Sequence, residues 1–171
     1  LDGDFFKFEK KFLGIHDSGD VMTISSWLGA HVSSESDRLL LQMDIEGSEY
    51  EVLAFEPASV LSRFACMVIE FHDFQKLFDP NFCFVLNGIF EKIYTNFTIV
   101  HAHPSSYRKL IKNDGIAVPP TIEITFLRND VLEGLEQIRE LSLPHALDNP
   151  NSAKHKEISL PEIWWKKKEL L

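Results

Sequence analysis

The sequence predicts an α/β fold: a mainly parallel sheet with covered faces and an antiparallel strand pair at one edge. Two apolar runs, Leu39–Asp44 and Ala65–His72, have the length of buried strands, and a helical stretch lies between them. Asp79-Pro80 then opens a long amphipathic helix. Two more strand-like runs, Phe97–His103 and Thr121–Leu127, follow with no helical pattern between them. Strands joined without a crossover element pair antiparallel.

Each element has a local reason. Phe5–Leu13 mixes aromatic and charged residues and reads as a strand, and His16–Asp20 is a turn by composition. Ile24–Val32 has a helical pattern, and residues 33–38 are a polar loop. The run from Leu39 ends in Asp44-Ile45-Glu46-Gly47, where Gly47 permits a tight turn. Ser48 and Glu51 stand at the S-x-x-E spacing of a capping box, so a helix starts there. Glu49 in its first turn gains from the helix dipole. Pro57 interrupts that helix, and a short helical piece, Ala58–Phe64, continues.

Asp79 is the expected N-cap of the next helix, with Pro80 at its first position. Phe82, Val85, Leu86, Ile89, Phe90 and Ile93 recur at the spacing of one buried face. Pro104–Pro120 is long for a connection in a compact domain, which marks it as a functional loop, mobile or covering the sheet rim. Val131–Leu141 is helical in pattern, and residues 144–171 form an irregular extension. Residues 1–21 carry little signal, and the whole chain reads as one domain.

At 171 residues, 44% hydrophobic and 25% charged, the chain can bury a real core, which excludes disorder and a disulfide-built miniprotein. A net charge of -9 argues against nucleic acid as a partner, because such binders carry a basic face. No apolar run approaches the roughly 20 residues a membrane helix needs, and the N-terminal residues do not form a signal peptide. Cys66 and Cys83 have no metal-binding or redox spacing and read as reduced core residues, consistent with a cytoplasmic location. Trp164 and Trp165 read as aromatics packing on the domain surface.

Ligands of open α/β sheets sit outside the carboxyl ends of the strands. Both central strands finish there in chemically useful groups, Asp44 and Glu46 on one, Glu70 and His72 on the other. Acids at a buried strand end are costly without a partner, so these four are the leading site candidates. Asp44, Glu70 and His72 are the catalytic candidates, with His72 having the unperturbed pKa best suited to moving a proton. His101 and His103 share one strand face by the period of two. No third ligand is identified there, so they are assigned, with Tyr107, to the substrate side rather than to a metal.

Met43-Asp44-Ile45-Glu46-Gly47-Ser48-Glu49 resembles the D-[IV]-E-G-x-E signature of the FkbM-type methyltransferases. Met22-Thr23-Ile24 resembles the short segment before that signature, and Val68–His72 the strand after it. Val100–His103 and Pro119–Arg128 resemble the closing strand pair of bacterial members, and Leu147–Asn151 their C-terminal stretch. The resemblance implies a Rossmann-like sheet and an S-adenosylmethionine-dependent O-methyltransferase acting on a sugar, glycan or small metabolite. It also implies that Asp44 and Glu46 lie at the methyl donor.

Among the eight glycines there is no G-x-G, so the chain resembles the later part of the family's domain, with a sheet incomplete on its N-terminal side. Weak donor binding follows from that. The alternatives are a non-catalytic interaction module built on the same sheet and a divalent-metal enzyme using Asp44, Glu46, Glu70 and His72. A homo-oligomer is compatible with either.

Overall fold

The computed structural model describes residues 6–32, 38–135, 144–151 and 154–164. Two-residue strands β1 (Phe12–Leu13) and β2 (Val21–Met22) pair in parallel, so of the strand expected over residues 5–13 only the last two of the described residues are strand. Helix α1 (Ile24–His31) starts at Thr23, whose hydroxyl accepts from Ser26 N at 3.1 Å. Asp17 lies beneath this cap, its carboxylate accepting from Thr23 N and from Ser26 Oγ.

Strand β3 (Leu39–Met43), helix α2 (Glu49–Phe55), helix α3 (Ala58–Leu61) and strand β4 (Phe64–Phe71) form a crossover unit, and β3 and β4 pair in parallel. The capping box does not form. Ser48 makes no side-chain cap, and the acid beside it, Glu49, turns back and accepts from the N–H groups of Ile45 and Gly47. At the other end of α2, the Lys92 ammonium donates to the carbonyls of Leu53, Ala54 and Glu56, satisfying groups the helix leaves unpaired.

A 3₁₀ turn (Phe74–Phe78) leads to α4 (Pro80–Tyr94), where Asp79 caps the N–H groups of Asn81 and Phe82 as expected. Leu86, Ile89 and Ile93 are buried and Phe82 and Phe90 pack against the core, whereas Val85 is exposed. Cys83 is also exposed, so only Cys66, half-buried, fits the reading of core cysteines; both thiols are free.

Strand β5 (Phe97–Pro104) is followed by a hairpin, β6 (Ile111–Asn113) and β7 (Ile116–Val118), within the stretch expected to be one loop. The turn is Asp114-Gly115, both at positive φ, the two-residue hairpin connection whose twist suits the flanking strands. Strand β8 (Ile122–Arg128) completes the sheet. A 3₁₀ turn (Asn129–Val131) follows; of the helix expected over 131–141, residues 132–135 are not helical and residues 136–141 lie outside those described.

The four-stranded sheet has the order β3-β4-β8-β5. It is mixed rather than mainly parallel: β3 and β4 run together, while β8 is antiparallel to both β4 and β5. The edge pair β5–β8 is therefore the antiparallel pair expected. Among the described residues, no strand pairs with the outer edge of β3.

One sheet face is dry. Met67, Ile69 and Phe71 of β4 and Ile122, Ile124 and Phe126 of β8 are buried in one cluster with Leu86, Ile89 and Ile93 of α4 and Val52 and Leu53 of α2. Each such side chain contributes about 1.5–3 kcal/mol. Side chains of a strand alternate between faces, so Glu70, Glu123, His101 and His103 point away from this core. Residues 144–151 and 154–164 lie over β5 and the hairpin, anchored by buried Leu160 and by Trp164, whose Nε1 donates to Ala117 O.

Candidate functional site

Parallel pairing of β3 and β4 places their carboxyl ends side by side, and the register sets Met43 opposite Ile69. Asp44 and Glu70, each one residue further on, thus meet at the rim. The antiparallel register continues the row, with Glu70 opposite Glu123 and Glu123 opposite His103. Cross-strand partners share a face, so one line of acids runs from Asp44 to the β5 histidine.

His72, the first residue after β4, is the hub. Its Nδ1 is 3.0 Å from Glu49 Oε1; its Nε2 is 3.5 Å from Glu46 Oε2, 3.7 Å from Asp44 Oδ1 and 4.0 Å from Glu70 Oε2. Tyr50 Oη donates to the His72 carbonyl at 2.7 Å and fixes the backbone. Ligand-type atoms of Asp44, Glu70 and His72 all lie within 4.8 Å of one another. The four residues singled out in the sequence do converge.

The turn that presents Asp44 and Glu46 is strained. Glu46 has φ 57°, a left-handed conformation uncommon for a residue with a Cβ, and Gly47 follows at φ 110°. Glu49 holds that turn. Its carboxylate is fully buried, and Oε1 accepts from Ile45 N at 3.2 Å and Gly47 N at 3.1 Å. An oxygen already accepting two N–H groups takes a third donor, so His72 Nδ1 carries its proton and Nε2 faces the rim. The helix-dipole role read from the sequence is too small a part for Glu49, which orients the whole rim.

Burial alone would lower the His72 pKa; the hydrogen bond to Glu49 and the charges of Glu49, Glu70 and Glu46 outweigh it and raise the pKa. Burial, then the Asp44 charge, push the Glu70 carboxyl above the usual carboxylate range, with His72 opposing. Burial, with the charges of Glu49 and Asp73, keeps the Tyr50 phenol protonated far above its ordinary range.

His101 and His103 lie on the rim side of the sheet but are already paired: His101 Nε2 is 2.9 Å from Asp148 Oδ1 and His103 Nε2 is 2.7 Å from Glu157 Oε1. Tyr107 is exposed, its ring beside His155. Ser105 and Ser106 are buried, and Ser106 N donates to Asn151 Oδ1, another tie to the C-terminal segment. A cavity of about 390 Å³, lined by Phe8, Phe12, Trp27, Leu40 and Gln42 among others, includes none of the rim residues.

The model of the Methyltransferase FkbM domain matches residues 16–95, just under half of the chain, spanning β2 to α4 and the whole His72 cluster. No curated protein and no solved structure matched. No helix among the described residues is long and apolar enough to cross a membrane.

Proposed function

We propose, from the premise that residues 16–95 belong to the FkbM methyltransferase family, that this chain is an S-adenosylmethionine-dependent O-methyltransferase domain of Rossmann-like type. Its acceptor is a hydroxyl of a sugar, glycan or small metabolite, and it acts in the cytoplasm. The observation that carries this reading is the convergence of Asp44, Glu70 and His72 at one point inside the matched segment.

The rim residues suit the reacting end of such a donor, because Asp44, Glu46 and Glu70 set negative charge where a sulfonium would stand. When bound, the donor supplies an electrophilic methyl group. The chain's own contribution is to hold the acceptor hydroxyl in line and take its proton. The carboxylates around His72 Nε2 are the proton's destination, and Glu49 and Tyr50 keep the imidazole in place. His101, His103 and Tyr107 border the acceptor on the β5 side, with His103 one register step from Glu123.

The chain's glycines include no G-x-G to approach the donor's carboxylate end, so the 171 residues bind donor more weakly than micromolar. Calorimetric titration checks this. The activity itself is tested by incubating the chain with millimolar labelled donor and a panel of neutral polyhydroxyl acceptors. Label should appear on hydroxyl oxygen with the wild type and fall at least tenfold with Asp44→Asn. No transfer across the panel, or transfer indifferent to that substitution, overturns the reading.

A further inference from the structure

The His72 cluster has a geometry that proton transfer alone does not explain. Separations of 3.5, 3.7 and 4.0 Å from Nε2 to Glu46, Asp44 and Glu70 are too long for hydrogen bonds, yet all three carboxylates crowd one lone pair. Neighbouring ligands of an ion bound at about 2.1 Å lie about 3.0–3.4 Å apart and opposite ligands about 4.2 Å, and the observed spacings fall between these two values. Behind them lies Glu49, fully buried, with Oε1 on His72 Nδ1 and Oε2 lacking any hydrogen-bond partner among the described residues. A buried carboxylate with an orphan oxygen beside this cluster calls for positive charge nearby. A carboxylate on the far nitrogen of an imidazole is also the usual support for a metal-binding histidine.

We propose that Asp44 Oδ1, Glu70 Oε2 and His72 Nε2 bind one divalent cation of the oxygen-preferring class, Mn²⁺ or Mg²⁺, with Glu49 as the positioning residue. Two carboxylates and one imidazole favour such an ion, and three protein ligands leave positions open for an acceptor hydroxyl or water. Glu46, outside the set of three and exposed, is the carboxylate left to take a proton from a hydroxyl bound to the ion. The role of the ion in methyl transfer rests on the reading above; the binding site itself does not.

The test uses Mn²⁺ alone, without donor or acceptor, so it stands apart from any failure to methylate. Electron paramagnetic resonance titration of the chelator-treated chain should give one saturable Mn²⁺ site. Asp44→Asn and Glu70→Gln should each weaken it at least tenfold, while Glu133→Gln, which removes the same charge from an exposed turn, should leave it within twofold. A thermal upshift with Mn²⁺ in wild type, absent from Glu70→Gln, gives a second readout that also verifies that the variant is folded. Absence of a saturable site, or equal binding by Glu70→Gln and wild type, overturns the proposal.

Discussion

Glu49→Gln in chelator-treated protein separates an orienting carboxylate from one that merely sits at a helix start. Glutamine keeps a carbonyl oxygen for Ile45 N and Gly47 N but loses the charge facing His72 Nδ1. A hydrogen bond between charged partners contributes about 1.5–3 kcal/mol. Relief of burying an ionised carboxylate offsets part of this, leaving a net loss of about 2 kcal/mol at pH 5.5. The sign follows from the direction of the shift. His72 has a raised pKa in the fold, so its contribution is complete below the unfolded histidine value of about 6.5 and is lost as pH rises through the folded pKa. Urea unfolding followed by tryptophan fluorescence should therefore show wild type and variant diverging most in mild acid and converging in alkali. The His72 resonance in a proton NMR titration should move to a lower midpoint in the variant. A stability gap that is constant or widens with alkalinity, or an unmoved His72 midpoint, refutes the orienting role.

Other substitutions have signs fixed by the same structure. Glu70→Gln should raise metal-free stability by about 0.5–1 kcal/mol at pH 7–8, because burial and the Asp44 charge penalise its ionised form; the gain should vanish below about pH 4, measured as urea midpoints. Asp17→Asn acts in the opposite sense. The hydrogen bonds from Ser26 and Thr23 lower the Asp17 pKa, so its contribution is present above the usual carboxylate range and disappears as pH falls through the lowered value. Acid unfolding of that variant should begin at higher pH than wild type. Lys92→Met strips the donor from three carbonyls at the end of α2 and should cost about 1–3 kcal/mol by urea unfolding, with Mn²⁺ affinity kept within twofold.

The parts of this fold legible in the sequence are those with a local cause. Asp79-Pro80 encodes a helix start through one carboxylate and one missing N–H, and α4 begins there. The apolar runs ending in Asp44 and His72 become the parallel strands β3 and β4, and while β4 is buried on its core face, β3 buries only Met43. Strand direction across the middle of the sheet has no such local cause. The β8 strand could be read as antiparallel to β5, but its insertion between β5 and β4 is decided by long-range packing of Phe126 against Phe90 and Phe71. The β6–β7 hairpin was available in the sequence: Asp114-Gly115 between two short β-prone runs is a strong turn signal, hidden by treating Pro104–Pro120 as one loop.

The site divides along the same line. Side chains at strand ends could be found from the sequence because the rule that ligands gather at carboxyl ends needs only strand boundaries. Glu49 could not, because a glutamate in the first turn of a helix already has a sufficient explanation in the helix dipole. Its complete burial is what changes the argument, since a dipole contact needs no burial and an ionised side chain avoids it without partners. The same holds for His101 and His103. Alternation puts both on one face, but only the folded chain brings Asp148 and Glu157 against them from 47 and 54 residues away. Those pairs tie the C-terminal segment to the strand that carries the far end of the acidic row. Substitutions at Asp148 or Glu157 thus act on the β5 side of the rim without touching the His72 cluster.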